Sequence, residues 1–206
     1  MPSGRARRAL INRGSSAGEI MNIDALELDG VLLVTGKRFE DARGYFEETW
    51  SAPRLSAAGF ERVFVQDNLS LSRDPGTLRG LHYQRPPVAQ GKLVTVLTGA
   101  VRDVVVDVRE GSPTYLKHLF VELNADRPEH LWVPEGFLHG FVTTERDTRV
   151  HYKVTAPYSA EHDGSIAWND PDIGVDWGVQ RPVLSDKDAA APFLRDVGTL
   201  FTSDPS

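Results

Sequence analysis

The chain has 206 residues, enough for one large domain or for one domain with tails. Its 0 Cys exclude disulfides, thiolate metal ligands and a cysteine nucleophile. A formal charge of -6 argues against a general nucleic-acid binder but leaves room for a local basic pocket. With 40% hydrophobic and 25% charged residues and no apolar run long enough to span a bilayer, the chain reads as a globular, cytoplasmic protein with no membrane partner.

Residues 1–20 carry Arg5, Arg7, Arg8 and Arg13 among Gly, Ser and Ala, with no sustained apolar period. Ala9-Leu10-Ile11 is too short for the apolar core of a signal peptide. A disordered tail, or an artefact of start-site choice ahead of Met21, is expected there. From Ala25 onward short strand-like runs follow: 26–34, 44–49, 61–67, 79–84, 92–98, 101–108, 115–123, 130–133, 140–144 and 148–154. Val104-Val105-Val106 implies a strand buried on both faces. Short helices are expected over 51–59, stopped by Gly59, and over 185–194, capped by Ser185. Turn signals recur about every ten residues, the pattern of an all-β sandwich or barrel. No internal repeat divides it, so a single domain is expected over 21–201, with 202–206 as a C-terminal tail.

The run Leu78-Arg79-Gly80-Leu81-His82-Tyr83-Gln84 gathers a guanidinium, an imidazole, a phenol and an amide on one strand. Alternation puts Leu78, Gly80, His82 and Gln84 on one face and Arg79, Leu81 and Tyr83 on the other. Taken alone, His82 reads either as a core imidazole or as a general base titrating near neutral pH.

A second run, Val133-Pro134-Glu135-Gly136-Phe137-Leu138-His139-Gly140, resembles the second motif of the cupin superfamily, a jelly-roll fold. Metal-binding cupins need a His-x-His pair and a Glu in the first motif. Here Gln84 stands at the second histidine, and 85–92 holds no carboxylate. Two imidazoles and an amide make a poor first shell for zinc or iron, so no metal is expected.

The segments FEDARGYFEETW, FVQDNLSLS, LRGLHYQ, AQGKLVTVLTGAVRDVVVDVREGSPTY, WVPEGFLHGFV, VHYKVT, GSIAWNDPDIGVDW and LSDKDAAAP occur in order. Together they resemble the dTDP-4-dehydrorhamnose 3,5-epimerase family over about 28–194. The resemblance implies a cupin-type jelly roll with a few short helices and a cofactor-free isomerase. Its reaction would be epimerisation at C3 and C5 of a nucleotide-linked 4-keto-6-deoxy hexose through enolates; a mono-functional 3- or 5-epimerase is the alternative. By motif, His82 resembles the base and Asp188 its dyad partner. Lys92 resembles the enolate stabiliser and Tyr152 the opposite-face proton donor. Arg43, Glu48, Gln66, Asp67, Asn68, Arg79, His139, Asp163 and Lys187 match positions around the nucleotide-sugar substrate. A homodimer with exchanged N-terminal strands is also implied. Two positions depart from the family pattern. Pro157 precedes Tyr158 where two tyrosines are usual, the first expected to stack on thymine. Asp163 replaces a longer Glu.

Overall fold

A computed structural model describes residues 21–203, so the expected N-terminal tail lies outside the described residues. In chain order the strands are β1 (Met21–Ala25), β2 (Leu32–Gly36), β3 (Arg38–Asp41), β4 (Gly44–Glu47), β5 (Gln66–Ser72), β6 (Leu78–Gln84), β7 (Lys92–Thr98) and β8 (Ala100–Asp107). They continue with β9 (Arg109–Glu110), β10 (His118–Asn124), β11 (Glu129–Val133), β12 (Phe137–Thr143), β13 (Thr148–Val154), β14 (Asp163–Ser165) and β15 (Phe201–Thr202). Short helices α1 (Ala52–Ala57), α2 (Asp186–Ala189) and α3 (Leu194–Val197) lie between them.

A six-stranded sheet, ordered β1-β2-β11-β7-β13-β5, packs on a five-stranded sheet, ordered β10-β8-β12-β6-β14. Pairing within both is antiparallel, giving the expected all-β sandwich. Strand alternation builds the core. Leu33, Val94, Leu131 and Val150 from one sheet meet Val101, Val105, Leu119 and Phe141 from the other. On β8 the intervening Val104 and Val106 face the opposite way, under Ile166, Ile173, Trp177 and Leu194. The segment after β14 is thus the cover of the five-stranded sheet. On the outer face of the six-stranded sheet, Leu55 of α1 and Phe60 pack on Leu93 and Trp132, with Phe60 and Trp132 edge-to-face at 5.2 Å.

Several boundaries differ from the sequence reading. The run over 26–34 is broken by a turn in which Leu26 N–H donates to Val31 C=O at 3.0 Å, so β1 ends before it and β2 begins after it. The strand expected over 61–67 starts at Gln66 instead and runs on to Ser72. The helix expected over 185–194 is two short pieces, α2 and α3, because Pro192 between them lacks the N–H that a continuous helix needs. The fold also extends beyond 201: Thr202 pairs with Glu110 in the parallel β9–β15 contact, and Ser203 N–H donates to Glu110 C=O.

The most consequential difference is in β6. Its register with β12 pairs His82 with His139 but Arg79 with Phe141, three residues on one strand against two on the other. That extra residue is a bulge, and it reverses the pleat. Leu78 therefore joins Leu81 and Tyr83 in the outer cluster instead of sharing His82's face, while Arg79 turns towards β5. The bulge sits where backbones nearly touch: a Cβ on Gly80, at φ +139°, would lie 2.6 Å from Gly140 Cα.

At the end of β8, fully buried Asp107 organises the following loop. Its carboxylate accepts from Arg109 Nη2 at 2.8 Å, and from Ser112 Oγ and Thr114 Oγ1 at 2.6 Å each. Burial alone would raise its pKa, but these donors hold it at about 2, below the ordinary 3.8. A depressed carboxylate contributes stability that is complete above its unfolded pKa and lost as pH falls through the folded one. Asp107→Asn is expected to cost about 2 kcal/mol at pH 7. In urea unfolding the gap to the parent protein should close as pH falls from about 4 towards 2.

Candidate active site

Most of the candidate residues sit on strands of the two facing sheets. Lys92 shares the inward phase of Val94 and Val96 on β7, and Tyr152 packs against the same inter-sheet core from β13. Gln66 and Asn68 pair with Val154 and Tyr152 and so line this wall too. The opposite wall is the five-stranded sheet, with Asp163 on β14, His82 on β6, His139 on β12 and Asp103 on β8. Register places His82 directly across from both His139 and Ser165.

Helix α2 supplies the partner of His82. Ser185, its N-cap, accepts from Asp188 N–H at 3.1 Å, and its hydroxyl donates to Asp188 Oδ2 at 3.0 Å. The other oxygen, Oδ1, stands 2.6 Å from His82 Nε2. The His82 side chain remains 30% exposed while that of Asp188 is 4% exposed, so the imidazole faces the pocket and the carboxylate is sheltered behind it. Burial pushes the Asp188 carboxyl up, but hydrogen bonds from His82 and Ser185 and the charges of His82 and Lys187 hold it below the ordinary value.

Two groups on the facing wall are tuned the other way. Burial drives the Lys92 ammonium down to about 8, opposed by Asp163 and Asp103 and assisted by Lys187. Burial raises the Tyr152 phenol, with Arg79 opposing and Asp163 reinforcing, so the phenol keeps its proton at neutral pH.

The remaining candidates divide. Arg79 Nε donates to Ser72 Oγ at 3.2 Å, and its Nη2 to Leu71 C=O at 3.1 Å. Gln66 Nε2 donates to Asn68 Oδ1 at 2.8 Å, and Gln66 Oε1 accepts from Tyr158 N–H at 3.0 Å. Asp163, despite its shorter side chain, reaches the Lys187 ammonium directly and accepts from Tyr158 Oη at 3.3 Å. Tyr158 is 59% exposed, while Pro157 C=O accepts from Gln84 Nε2 at 3.0 Å. The rest of the Gln84 amide is spent on Val88 C=O and Ser159 N–H, so Gln84 ties two loops together.

Asp67 does not share this space. It alternates to the outer face of β5, where Lys153 donates to it at 2.8 Å and His151 stands at 3.7 Å. Arg43 and Glu48 are also apart from it. Arg43 sits at the tip of the β3–β4 hairpin, ion-paired with Asp41, and Glu48 faces Arg54 at 3.3 Å. The hairpin is anchored by Arg38 to the Ala125 and Asp126 carbonyls, in the turn before β11 and away from its Val133 end, which pairs with Lys92.

The sequence reading missed Asp103. Both its oxygens lie 2.9 Å from His139 Nε2, and it is fully buried. An acid inside the run Val101-Arg102-Asp103-Val104-Val105, already expected to be buried on both faces, was the available signal, since such residues are rarely buried without a partner.

A base backed by a buried carboxylate, a protonated phenol on the facing wall and a buried cation form the equipment for removing a proton α to a carbonyl and returning one from the other side.

A family model described as dTDP-4-dehydrorhamnose 3,5-epimerase matches residues 25–196. The dTDP-4-dehydrorhamnose 3,5-epimerase of Sinorhizobium fredii is 46% identical over 193 residues, covering 91% of this chain and 97% of that protein. Among solved structures, the Legionella pneumophila dTDP-6-deoxy-D-glucose-3,5-epimerase in complex with dTDP-4-keto-L-rhamnose superposes with a TM-score of 0.83 at 40% identity, over 89% of this chain and 99% of that one. The Bacillus anthracis dTDP-4-dehydrorhamnose 3,5-epimerase with TDP and PPi bound gives 0.82 at 43% identity, over 84% and 99%.

Proposed function

The chain belongs to the dTDP-4-dehydrorhamnose 3,5-epimerase family, and on that footing we propose that it converts dTDP-4-dehydro-6-deoxy-D-glucose to dTDP-4-dehydro-L-rhamnose. It is a sugar-nucleotide epimerase. The observation that carries the residue assignment is the His82–Asp188 pair on one wall, with Tyr152 and the half-buried Lys92 on the other.

C3 and C5 both flank the C4 ketone, so each carries a proton acidified by the carbonyl itself, and the chemistry calls for no cofactor. With Nε2 committed to Asp188, His82 has Nδ1 free to take that proton, and Asp188 balances the resulting imidazolium. Lys92 stabilises the enolate oxygen, its ammonium strengthened by exclusion from water. Tyr152 returns a proton to the other face, which inverts the centre. Arg79 and Lys187 suit the diphosphate, and Gln66, Asn68, His139 and Asp163 supply polar contacts around the sugar and nucleotide.

Arg43 and Glu48 enter this scheme through a second subunit. The β3–β4 hairpin leaves Phe39, Tyr45 and Phe46 exposed by 44%, 57% and 70%. In the proposed homodimer this hairpin crosses to the partner, covers those rings and presents Arg43 to the neighbouring pocket. Residues 21–203 act as one catalytic unit in the cytoplasm. Among the described residues no helix is long and apolar enough to cross a membrane.

The test is incubation in D2O with a panel of dTDP-, UDP- and GDP-linked 4-keto-6-deoxy sugars. Deuterium should enter C3 and C5 of the dTDP compound preferentially. Exchange at one carbon only would indicate a mono-functional epimerase, and none at either carbon would remove the epimerase reading. Tyr152→Phe separates the two faces. It should still exchange deuterium through His82 while net inversion falls roughly 10²- to 10⁴-fold, as measured by product stereochemistry.

A further inference from the structure

Directly across β6 and β12 from the His82–Asp188 pair lies a second imidazole–carboxylate pair, His139–Asp103. Asp103 shares the inward face of β8 with Val101 and Val105, and all three are fully buried. A valine at 103 would satisfy packing there, whereas a buried carboxylate is costly unless charges and hydrogen bonds answer it. His139 answers it from β12, presenting Nε2 to both oxygens at 2.9 Å. Burial still raises the Asp103 carboxyl above its ordinary value, with the charges of His139 and Lys92 opposing.

We propose that Asp103 is a positioning residue: it pins His139 through Nε2, leaving Nδ1 as the nitrogen free for the substrate. The proposal rests on the epimerase reading for its reaction, but its structural half does not depend on it. A carboxylate accepting at both oxygens requires N–H at Nε2, so neutral His139 must be the Nε2–H tautomer, able to accept from a sugar hydroxyl.

Two measurements test this. Long-range proton–nitrogen NMR correlations on the wild-type protein should show His139 carrying its proton on Nε2. This measurement needs no variant to fold and no turnover. Asp103→Asn should lower kcat by roughly ten- to a hundredfold, the scale on which outer partners of functional histidines act. In the same variant the NMR correlations should show a share of His139 carrying its proton on Nδ1, since an amide does not demand N–H at Nε2 as a carboxylate does. A wild-type His139 protonated on Nδ1 alone would overturn the proposal. So would an Asp103→Asn enzyme with the parent rate, or one that is slower with His139 still protonated on Nε2 alone, since a merely structural residue would give that result. Deuterium exchange by the wild-type enzyme is scored separately, so failure of the epimerase reading stays distinguishable from failure of the Asp103 role.

Discussion

Replacing His82 with asparagine is expected to slow proton exchange at both C3 and C5 by roughly 10²- to 10⁴-fold, the range spanned by a positioned general base. Both carbons should respond together, because one imidazole backed by one carboxylate serves each abstraction in turn. Nucleotide binding should change little, since Arg79, Lys187, Gln66 and Asn68 are held by partners other than His82. The fold should also survive. His82 is 30% exposed and contributes to none of the three hydrophobic clusters, so its loss leaves no apolar cavity. Asp188 would lose one of its donors but keep Ser185. Titration with dTDP and thermal unfolding check these two invariants alongside the exchange rate.

Lys92→Met should make the protein more stable and the enzyme worse. Folding moves the Lys92 pKa from 10.5 to about 8, chiefly by burial, so at neutral pH the charged ammonium opposes folding. A shift of this size corresponds to about 3 kcal/mol, which methionine, similar in length and uncharged, would release. The sign is checked by linkage. Between about pH 8 and 10.5 the unfolded chain holds the proton and the folded chain does not, so parent stability rises with pH there and the advantage of Lys92→Met shrinks. Activity moves oppositely. Losing the group that meets the developing oxyanion should reduce kcat roughly 10²- to 10³-fold. In the parent enzyme the rate should fall as pH rises through about 8, as the ammonium loses its proton. Urea unfolding of both proteins at pH 7 and pH 10, with rates on the same samples, would reveal this trade of stability for function. Equal or lower stability for Lys92→Met at pH 7 would show that the buried charge is not the cost assigned to it.

The sandwich was legible because its signals are local. The valine run 104–106 dictates a strand buried twice over, and Ser51 and Gly59 bracket α1. The β6 phase was not legible. Gly80 marks a close approach, but which strand presses on it depends on Gly140, 60 residues later, and the resulting bulge moved Leu78 and Arg79 to unexpected faces. Part of the arrangement was visible through ordered motifs: LRGLHYQ and LSDKDAAAP, far apart in the chain, supply the His82 and Asp188 that meet at 2.6 Å. Asp67 shows the limit of a motif, because alternation within Gln66-Asp67-Asn68 sends the middle residue to the other side of the sheet. Asp103 shows the converse. Its partner is 36 residues away on a neighbouring strand, and only the register reveals the pairing.

The central claim is that one imidazole, His82, removes both α-protons. The most direct measurement is deuterium entry at C3 and at C5 from D2O, followed by NMR for the wild-type enzyme and for folded His82→Asn on dTDP-4-dehydro-6-deoxy-D-glucose. Exchange at both carbons by the wild type, and loss at both in the variant, is the expected result. Persistence at the parent rate at either carbon in the variant would contradict it, and would assign that proton to another base.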